Sequence, residues 1–217
     1  EAKESVLSES TRTRAQKLSD PKQDDASKKS QYVIALDAGH GGKDEGAVSD
    51  DGKLEEKEYN LAVVKEIARL LEQSGVKVYC TRTTDRTVPK KARVRLANKR
   101  QADMLVSVHC NASDARKHSV RGIEVLYSKR DNGAGYTNKQ LAAKLLKKTV
   151  AATGLPARGV IRREDLYLMH HAKVPAVIVE TGYLTNPSDC LYMRQEKGIR
   201  QTAWGIYQAV METLEKY

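Results

Sequence analysis

The stretch YVIALDAGHGG, from Tyr32 to Gly42, decides the fold. Its first part, Val33 to Leu36, is a short apolar run rich in β-branched residues, which predicts a buried strand. A glycine-rich turn follows, so we expect His40 on an open loop at the carboxyl end of that strand. In open α/β sheets, ligands bind at this edge. An exposed turn histidine without a function would fit the same residues, so the rest of the chain must distinguish the two.

Length and composition indicate an ordinary globular chain. Its 217 residues are enough for one domain with a sizeable core, and 40% of them are hydrophobic and 30% charged. No apolar run approaches the roughly 20 residues that a membrane helix needs, so no membrane span is expected in this chain. Because the chain begins at Glu1 rather than Met, we expect that a signal peptide or anchor has been removed. We also expect a monomer.

The charge balance is strongly basic, with 38 Lys and Arg against 28 Asp and Glu, a net charge of +10. Such a balance favours polyanions as partners, among them anionic wall polymers, although it would also serve simple solubility. Nucleic acid is disfavoured, because no recognition module is visible and the basic residues are spread along the chain. The three cysteines, Cys80, Cys110 and Cys190, do not form a disulfide framework.

The chain divides into a polar beginning and an alternating remainder. Residues 1–30 have few large apolar side chains, so we predict a flexible or disordered tail or linker there. Residues 31–217 alternate strands with helices, which predicts a three-layer α/β/α domain around a mostly parallel or mixed sheet of about six strands. The predicted strands are 33–36, 76–82, 103–108, 122–127, 166–169 and 175–179. The predicted helices are 54–74, 90–100, 138–153, 189–193 and 198–214.

The first predicted helix carries an inward carboxylate. Glu56 shares a helix face with Asn60 and Val64 in steps of four, whereas Glu55 projects about 100° away. A carboxylate that faces the interior needs a partner, because an unpaired buried charge is costly. The alternative is that Glu56 lies at a solvated helix end and only benefits from the helix dipole.

Two further strands deliver side chains that resemble His40 in placement. His109 follows the apolar run 103–108, and Glu180 follows the run 175–179. His40, Glu56 and His109 are ligand types that a catalytic zinc favours. Hydrolysis of an amide also needs a general base for water and an acid for the leaving amine, and a carboxylate outside the metal shell suits both tasks. Glu180 is the candidate, unless it instead hydrogen-bonds to a helix start near Asn186.

Four ordered motifs carry a family resemblance: AGHGGKDEGA (38–47), EKEYNL (56–61), SVHCNAS (107–113) and PAVIVETGYLTNPSD (175–189). Together they resemble the zinc-dependent N-acetylmuramoyl-L-alanine amidases, the Amidase_3 family, and the resemblance covers residues 32–217. It implies a six-stranded α/β fold and one zinc ion bound by His40, Glu56 and His109, with Glu180 as the catalytic residue.

The resemblance also implies a reaction and a place. These enzymes cleave the amide between the lactyl group of N-acetylmuramic acid and L-alanine in peptidoglycan. They act outside the cytoplasm, in the periplasm or cell wall, during division, sporulation, germination or autolysis. Two other functions remain open: a zinc peptidase that cuts within stem peptides, and a catalytically idle wall-binding module. The idle module would need none of the four site residues.

The sequence departs from the family pattern at Cys110, where another small or polar residue is usual. We expect its side chain to pack away from the metal, because it points to the strand face opposite His109. A basic cluster, Arg158, Arg162 and Arg163, would suit the carboxylates of a stem peptide or be a solvated surface. His170 and His171 fit a groove or an ordinary loop.

Overall fold

A computed structural model describes residues 32–114, 118–130 and 132–216. The tail predicted at residues 1–30 lies outside the described residues. In chain order the elements are β1 (Val33–Ala38), α1 (Glu56–Gln73), β2 (Lys77–Cys80), α2 (Lys90–Lys99), β3 (Met104–Asn111), β4 (Ile123–Tyr127), α3 (Asn138–Thr153), β5 (Ala157–Arg162), α4 (Tyr167–His171), β6 (Ala176–Tyr183), α5 (Pro187–Met193) and α6 (Glu196–Lys216).

The strands form one mixed sheet in the order β2-β1-β3-β6-β4-β5. Strands β2, β1, β3 and β6 run parallel, whereas β4 is antiparallel to β6 and parallel to β5. The prediction of an α/β domain around a mostly parallel or mixed six-stranded sheet is therefore confirmed. This order brings the carboxyl ends of β1, β3 and β6 to one edge, where ligands bind in folds of this kind.

One predicted strand is wrong. Residues 167–169 instead form the start of the short helix α4, with Leu166 as its N-cap, and the fifth strand is β5, at Ala157–Arg162. The sequence of β5, ARGVIR, lacks a continuous apolar run because β5 is an edge strand that pairs only with β4 and is half-buried at its centre. A second difference concerns β3 and β6, which continue beyond the predicted ends and carry His109 and Glu180 within them.

Successive strand residues point to opposite faces, so the sheet has two distinct sides. One side packs against α1, α3 and α6 and forms the larger apolar core, which includes Val106, Val108, Val177 and Val179. The helices α3 and α6 cross so closely that a Cβ on Gly205 would lie 2.5 Å from the Cα of Thr149.

The other side of the sheet is covered by α2 and the short α4, around a smaller core. These two elements leave the carboxyl end of that face less densely covered. The odd-numbered residues of β3, among them Ser107 and His109, point toward it, as Asp37 does from β1. Polar side chains at this end are therefore the ones that can meet a ligand.

Candidate active site

His40 lies on the loop that follows β1. Its backbone is in the left-handed region, with φ 58°, which costs a residue other than glycine roughly 1–2 kcal/mol and must be held by neighbours. The carbonyl oxygen of His40 accepts a hydrogen bond of 2.7 Å from Arg93 Nη2. The imidazole Nδ1 lies 2.8 Å from Asp44 Oδ1, so a carboxylate orients the ring and leaves Nε2 directed at the site.

Glu56 is the first residue of α1, and its side chain is 4% exposed. Its Oε2 accepts a hydrogen bond of 2.8 Å from the Ala47 backbone N–H. Its Oε1 accepts hydrogen bonds from the Asn60 side chain, at 3.2 Å, and the Cys110 backbone N–H, at 2.9 Å. The geometry therefore confirms the inward placement that the helix periodicity predicts for Glu56, and it excludes the solvated helix end.

His109, on β3, completes a compact group. Its Nδ1 lies 2.9 Å from Glu56 Oε1, and His40 Nε2 lies 3.3 Å from the same oxygen. One possible ligand atom from each of the three residues falls within 4.8 Å of the others. Side chains from a loop, a helix start and a strand thus converge on one point.

Two glycines make room for these side chains. A Cβ on Gly39 would lie 2.3 Å from Cε1 of His109, so any larger residue would displace the imidazole. A Cβ on Gly46 would lie 2.6 Å from Glu56 Oε2 and 2.8 Å from the ring of His40. The backbone of the glycine loop is therefore folded tightly around the three converging groups.

The electrostatics of the group fit a cation. The hydrogen bond to Glu56 raises the pKa of His40 to about 8, with burial acting against it. Burial alone would lower the pKa of His109 and raise that of Glu56, but the bonds between these two groups reverse both shifts. A site that favours protons on two imidazoles attracts positive charge, which a divalent ion can supply in their place. Two imidazoles and one carboxylate, with neighbouring donor atoms about 3 Å apart, suit zinc.

Glu180 lies beside this group on β6. It is the register partner of His109 on β3, so the two side chains share one face of the sheet. Within the described residues, its Oε2 is buried and has no hydrogen-bond partner. Burial raises the pKa of Glu180 to about 7, although His109 acts in the opposite direction. The alternative role is not seen, because Asn186 itself caps α5 by accepting from Ser188 and Asp189 N–H groups.

A second carboxylate, Glu124, escaped the sequence reasoning. It is the antiparallel register partner of Glu180 and lies on the same face. Its Oε1 accepts hydrogen bonds from Arg158 Nε at 2.5 Å and from the Tyr183 hydroxyl at 2.8 Å. Glu124 is therefore paired, whereas Glu180 has an unpaired oxygen. A glutamate inside the strand GIEVLY was the only signal that could have identified it.

A cleft of about 290 Å³ opens from the group along the α2 and α4 side of the sheet. Its wall is largely apolar and includes Val88, Leu126, Leu166, Leu168 and Ile178. The remaining lining residues are charged, polar or aromatic: Asp37, His40, Asp44, Lys90, Arg93, His109, Arg163, Tyr167 and Glu180.

The other sequence candidates divide between the cleft and the surface. Of the three arginines in the basic cluster, only Arg163 lines the cleft, and each pairs with a nearby carboxylate: Arg158 with Glu124, Arg162 with Glu164 and Arg163 with Asp165. His170 and His171 are exposed on α4, where the ring of His171 stacks on Tyr167 at 3.9 Å.

Cys110 packs as predicted. Its side chain is buried in the larger core, with Sγ 3.5 Å from Asn60 Oδ1 and 3.7 Å from Thr181 Oγ1. It therefore points away from the side of the sheet that carries His109. All three cysteines are free thiols.

Comparison with known proteins gives a consistent result. The Amidase_3 family model, described as N-acetylmuramoyl-L-alanine amidase, matches residues 34–212. The chain is 35% identical over 163 residues to the N-acetylmuramoyl-L-alanine amidase LytC of Bacillus subtilis. The aligned region covers 75% of this chain and 32% of LytC. It is 34% identical over 187 residues to the probable cell wall amidase LytH of Staphylococcus aureus, covering 85% of this chain and 58% of LytH.

A solved structure extends the similarity to the fold. The catalytic domain of CwlV, an N-acetylmuramoyl-L-alanine amidase from Paenibacillus polymyxa, superposes with a TM-score of 0.79 at 32% identity. The match covers 86% of this chain and 100% of that domain. The chain therefore spans the length of a catalytic domain, but less than two thirds of LytC and LytH.

Proposed function

The chain belongs to the Amidase_3 family of N-acetylmuramoyl-L-alanine amidases, and from that membership we propose that it hydrolyses peptidoglycan with one zinc ion. The bond cleaved is the amide between the lactyl group of N-acetylmuramic acid and L-alanine. The observation that carries the proposal is the convergence of His40, Glu56 and His109 beside the unpaired oxygen of Glu180. A wall-binding module would have no need for this arrangement.

In this proposal His40, Glu56 and His109 hold the metal, and Glu180 handles the protons. When bound, zinc supplies a Lewis acid that polarises the scissile carbonyl and lowers the pKa of a water molecule. The free Oε2 of Glu180 accepts a proton from the attacking water and returns it to the departing nitrogen. The C–N bond breaks, and the products are a lactyl carboxylate and a stem peptide with a free amino terminus.

The surroundings of Glu180 suit this double role. A pKa near 7 allows the carboxyl group to exist in either protonation state near neutral pH, which is the condition for efficient proton transfer. The apolar wall of the cleft excludes water from one side of the group. The paired Glu124 leaves Glu180 as the carboxylate available for the reaction.

The place of action follows from the substrate. Peptidoglycan lies outside the cytoplasm, and LytH is named a probable cell wall amidase. We therefore infer an extracytoplasmic role for this chain, in the cell wall or periplasm. No helix in the described ranges has both the length and the apolar character needed to cross a bilayer.

Product analysis tests the bond that is cleaved. Purified peptidoglycan is digested with the zinc-loaded protein, and the products are identified by mass spectrometry. We expect intact stem peptides that begin with a free L-alanine amine, together with peptide-free glycan. Fragments cut between amino acids would indicate a stem-peptide peptidase, and unchanged peptidoglycan would indicate an idle wall-binding module. Either result would overturn the proposal.

Metal analysis tests the division of roles within the site. His40→Ala should lose both bound zinc and turnover, whereas Glu180→Ala should keep stoichiometric zinc and lose turnover. His171→Ala provides the control, because it removes an exposed histidine that is not part of the converging group. If His40→Ala retained full zinc, the assignment of the metal ligands would be wrong.

A separate observation supports anionic wall polymers as partners. The helix α2 carries five basic residues and no acidic residue. Lys91, Arg95 and Lys99 are exposed at steps of four, and no described carboxylate forms an ion pair with them. On α1, by contrast, basic residues are interspersed with acidic ones, as in the pair of Glu66 with Arg69. Like charges at this spacing repel each other and destabilise a helix, so a bound polyanion would offset this loss of helix stability.

The test compares two charge-matched variants. Lys91→Gln with Arg95→Gln and Lys99→Gln removes three charges from α2. The control removes three exposed lysines from the opposite side, with Lys65→Gln, Lys139→Gln and Lys147→Gln. Binding to a purified phosphodiester wall polymer should weaken more than tenfold in the first variant only. Equal weakening in both variants would show that only net charge matters.

A further inference from the structure

Arg82 is a buried cation that contacts backbone rather than a carboxylate. It is 1% exposed, and its guanidinium donates to three carbonyl oxygens at short range, with a fourth at 3.5 Å. No described carboxylate forms an ion pair with it. The burial of a charge without a direct ion pair is costly: burial and the neighbouring Arg93 lower the pKa of Arg82, although Asp85 and Asp37 act in the opposite direction. The cost of burying Arg82 therefore indicates that its hydrogen bonds have a specific role.

The three short hydrogen bonds of Arg82 join two separate parts of the site. Two of them hold the end of β1 and the start of the loop that carries His40, from Nε to Ala38 O at 3.0 Å and from Nη2 to Gly39 O at 2.8 Å. The third holds the first turn of α1, from Nη2 to Lys57 O at 2.7 Å, directly after Glu56. The guanidinium therefore spans from the His40 loop to the helix start that carries Glu56.

The residues after Arg82 hold the same loop from outside. Asp85 accepts a hydrogen bond of 2.7 Å from the Gly42 N–H, and Thr87 accepts one of 3.1 Å from the Lys43 N–H. From α2, Arg93 holds the His40 carbonyl. Residues 82–87 and Arg93 thus enclose a loop whose His40 has a left-handed backbone.

Positive charge alone is a poor explanation for Arg82. A cation next to a metal site repels the metal, so its charge works against binding. The planar fork of a guanidinium, by contrast, holds several acceptors at fixed angles, which the single ammonium group of lysine cannot do. The useful property of Arg82 is therefore its geometry.

We propose that Arg82 is a positioning residue for the metal ligands, which fixes the separation between the His40 loop and the helix start of Glu56. The proposal rests on the proposed function in one respect, that these residues bind zinc. Outer-shell partners of metal ligands typically change metal affinity by about 10- to 100-fold when they are removed. We expect Arg82→Lys to fall in that range although it keeps the charge.

A matched control separates positioning from general stability. Asn138 is also buried and also makes three bonds to backbone groups: it donates to Ser128 O and Arg130 O and accepts from Ala176 N–H. These contacts lie at the edge of the sheet opposite the candidate site. Asn138→Ala therefore removes a comparable set of bonds without touching the His40 loop.

The experiment measures zinc affinity and stability on the same proteins. The metal-free 217-residue chain is titrated with zinc in competition with a chromophoric chelator, and its unfolding free energy is measured in urea without metal. We expect Arg82→Lys to bind zinc 10- to 100-fold more weakly, and Asn138→Ala to bind within twofold of the unsubstituted protein. Partial recovery of Arg82→Lys activity at high zinc concentration is also expected, which Glu180→Ala should not show.

Three results would overturn the proposal: an Arg82→Lys affinity within twofold of the unsubstituted protein, equal weakening in the Asn138→Ala control, or no recovery of activity with zinc. If Arg82→Lys does not fold, Asp85→Asn provides a second test, because the exposed Asp85 also holds the His40 loop, through the Gly42 N–H. An unchanged zinc affinity of Asp85→Asn would then contradict the proposal. If the unsubstituted chain bound no zinc through His40, the proposed function would fail instead, so the two failures are distinguishable.

Discussion

The two faces of the sheet differ in what they bury. The face under α1, α3 and α6 buries mainly apolar side chains, such as Leu145 and Ile206, both 0% exposed, together with uncharged polar ones such as Asn60. The face under α2 and α4 buries an apolar core near the amino ends of the strands but charged groups near the carboxyl ends. Asp37 and Arg93 form an ion pair of 2.8 Å there, and Glu180 lies on the same face.

This difference separates stability from chemistry. Apolar burial contributes about 1.5–3 kcal/mol for each large side chain, and this contribution does not depend on the relative orientation of the buried groups. Buried charges stabilise the fold only when their partners are in place, so each of them constrains the geometry around it. The charged groups at the carboxyl end of the second face therefore add little net stability, but they hold the atoms around them in defined positions. Substitutions on the two faces should therefore change different measurements.

The largest expected effect is on turnover, from Glu180→Gln on the polar face. Loss of the carboxylate removes the group proposed to transfer protons, and such groups contribute about 10²- to 10⁴-fold. The rate of stem-peptide release from peptidoglycan measures the loss. Zinc content and the urea unfolding midpoint should stay unchanged, because the side chain keeps its shape. Activity within tenfold of the unsubstituted protein would show that Glu180 is not the proton carrier.

The next effect is on stability, from Asp37→Asn on the same face. The change removes the carboxylate that pairs with Arg93 and accepts from Ser107 and Thr81. Breaking a buried pair in this way costs about 3–5 kcal/mol, because the remaining cation is left uncompensated. Urea unfolding at pH 7 measures the cost. A loss below about 1 kcal/mol would mean that the two faces differ less than the contacts indicate.

A comparable substitution on the apolar face should leave the site intact. Leu145→Ala on α3 deletes a fully buried side chain, which costs about 2–5 kcal/mol through lost contacts and the cavity left behind. Zinc affinity should change less than twofold, since α3 packs on the face away from His40. If zinc affinity fell in proportion to stability, the separation between the two faces would be disproved.

The smallest effect concerns pH and sharpens the prediction for Asp37. Burial alone would raise the pKa of Asp37, but Arg93 and the two hydroxyl groups outweigh burial and lower it. Its contribution to stability is therefore complete above its unfolded pKa of about 3.9 and is lost as the pH falls through its lower folded value. The stability difference between Asp37→Asn and the unsubstituted protein should narrow below about pH 4. A stability difference that stayed constant from pH 7 to pH 3 would contradict the lowered pKa of Asp37.

The parts of the site that the sequence predicted depend on local periodicity. Glu56 is inward because helical spacing places it above Asn60, and Cys110 and His109 face opposite sides because they are neighbours on a strand. These orientations follow from bond geometry within a few residues. The metal and catalytic roles of His40, Glu56, His109 and Glu180 stay predictions, since they concern chemistry that the experiments above must test.

The parts that the sequence missed depend on partners far along the chain. β5 is an edge strand without an apolar run, and only its pairing with β4 shows it. Glu124 and Glu180 are 56 positions apart and become neighbours through the register of an antiparallel pair. Arg82 is the last residue of the predicted strand 76–82 and precedes the polar residues 83–87, and no local pattern marks it as buried.

The sequence by itself determined the types of most elements, the faces of their side chains and the family to which the chain belongs. Only the tertiary structure decided that Glu56 Oε1 lies between two imidazoles, that Glu180 keeps an unpaired oxygen while Glu124 does not, and that Arg82 joins the two halves of the site. The reason is physical: side-chain direction within an element is set by periods of 3.6 and 2 residues, whereas distances between elements depend on strand order and packing.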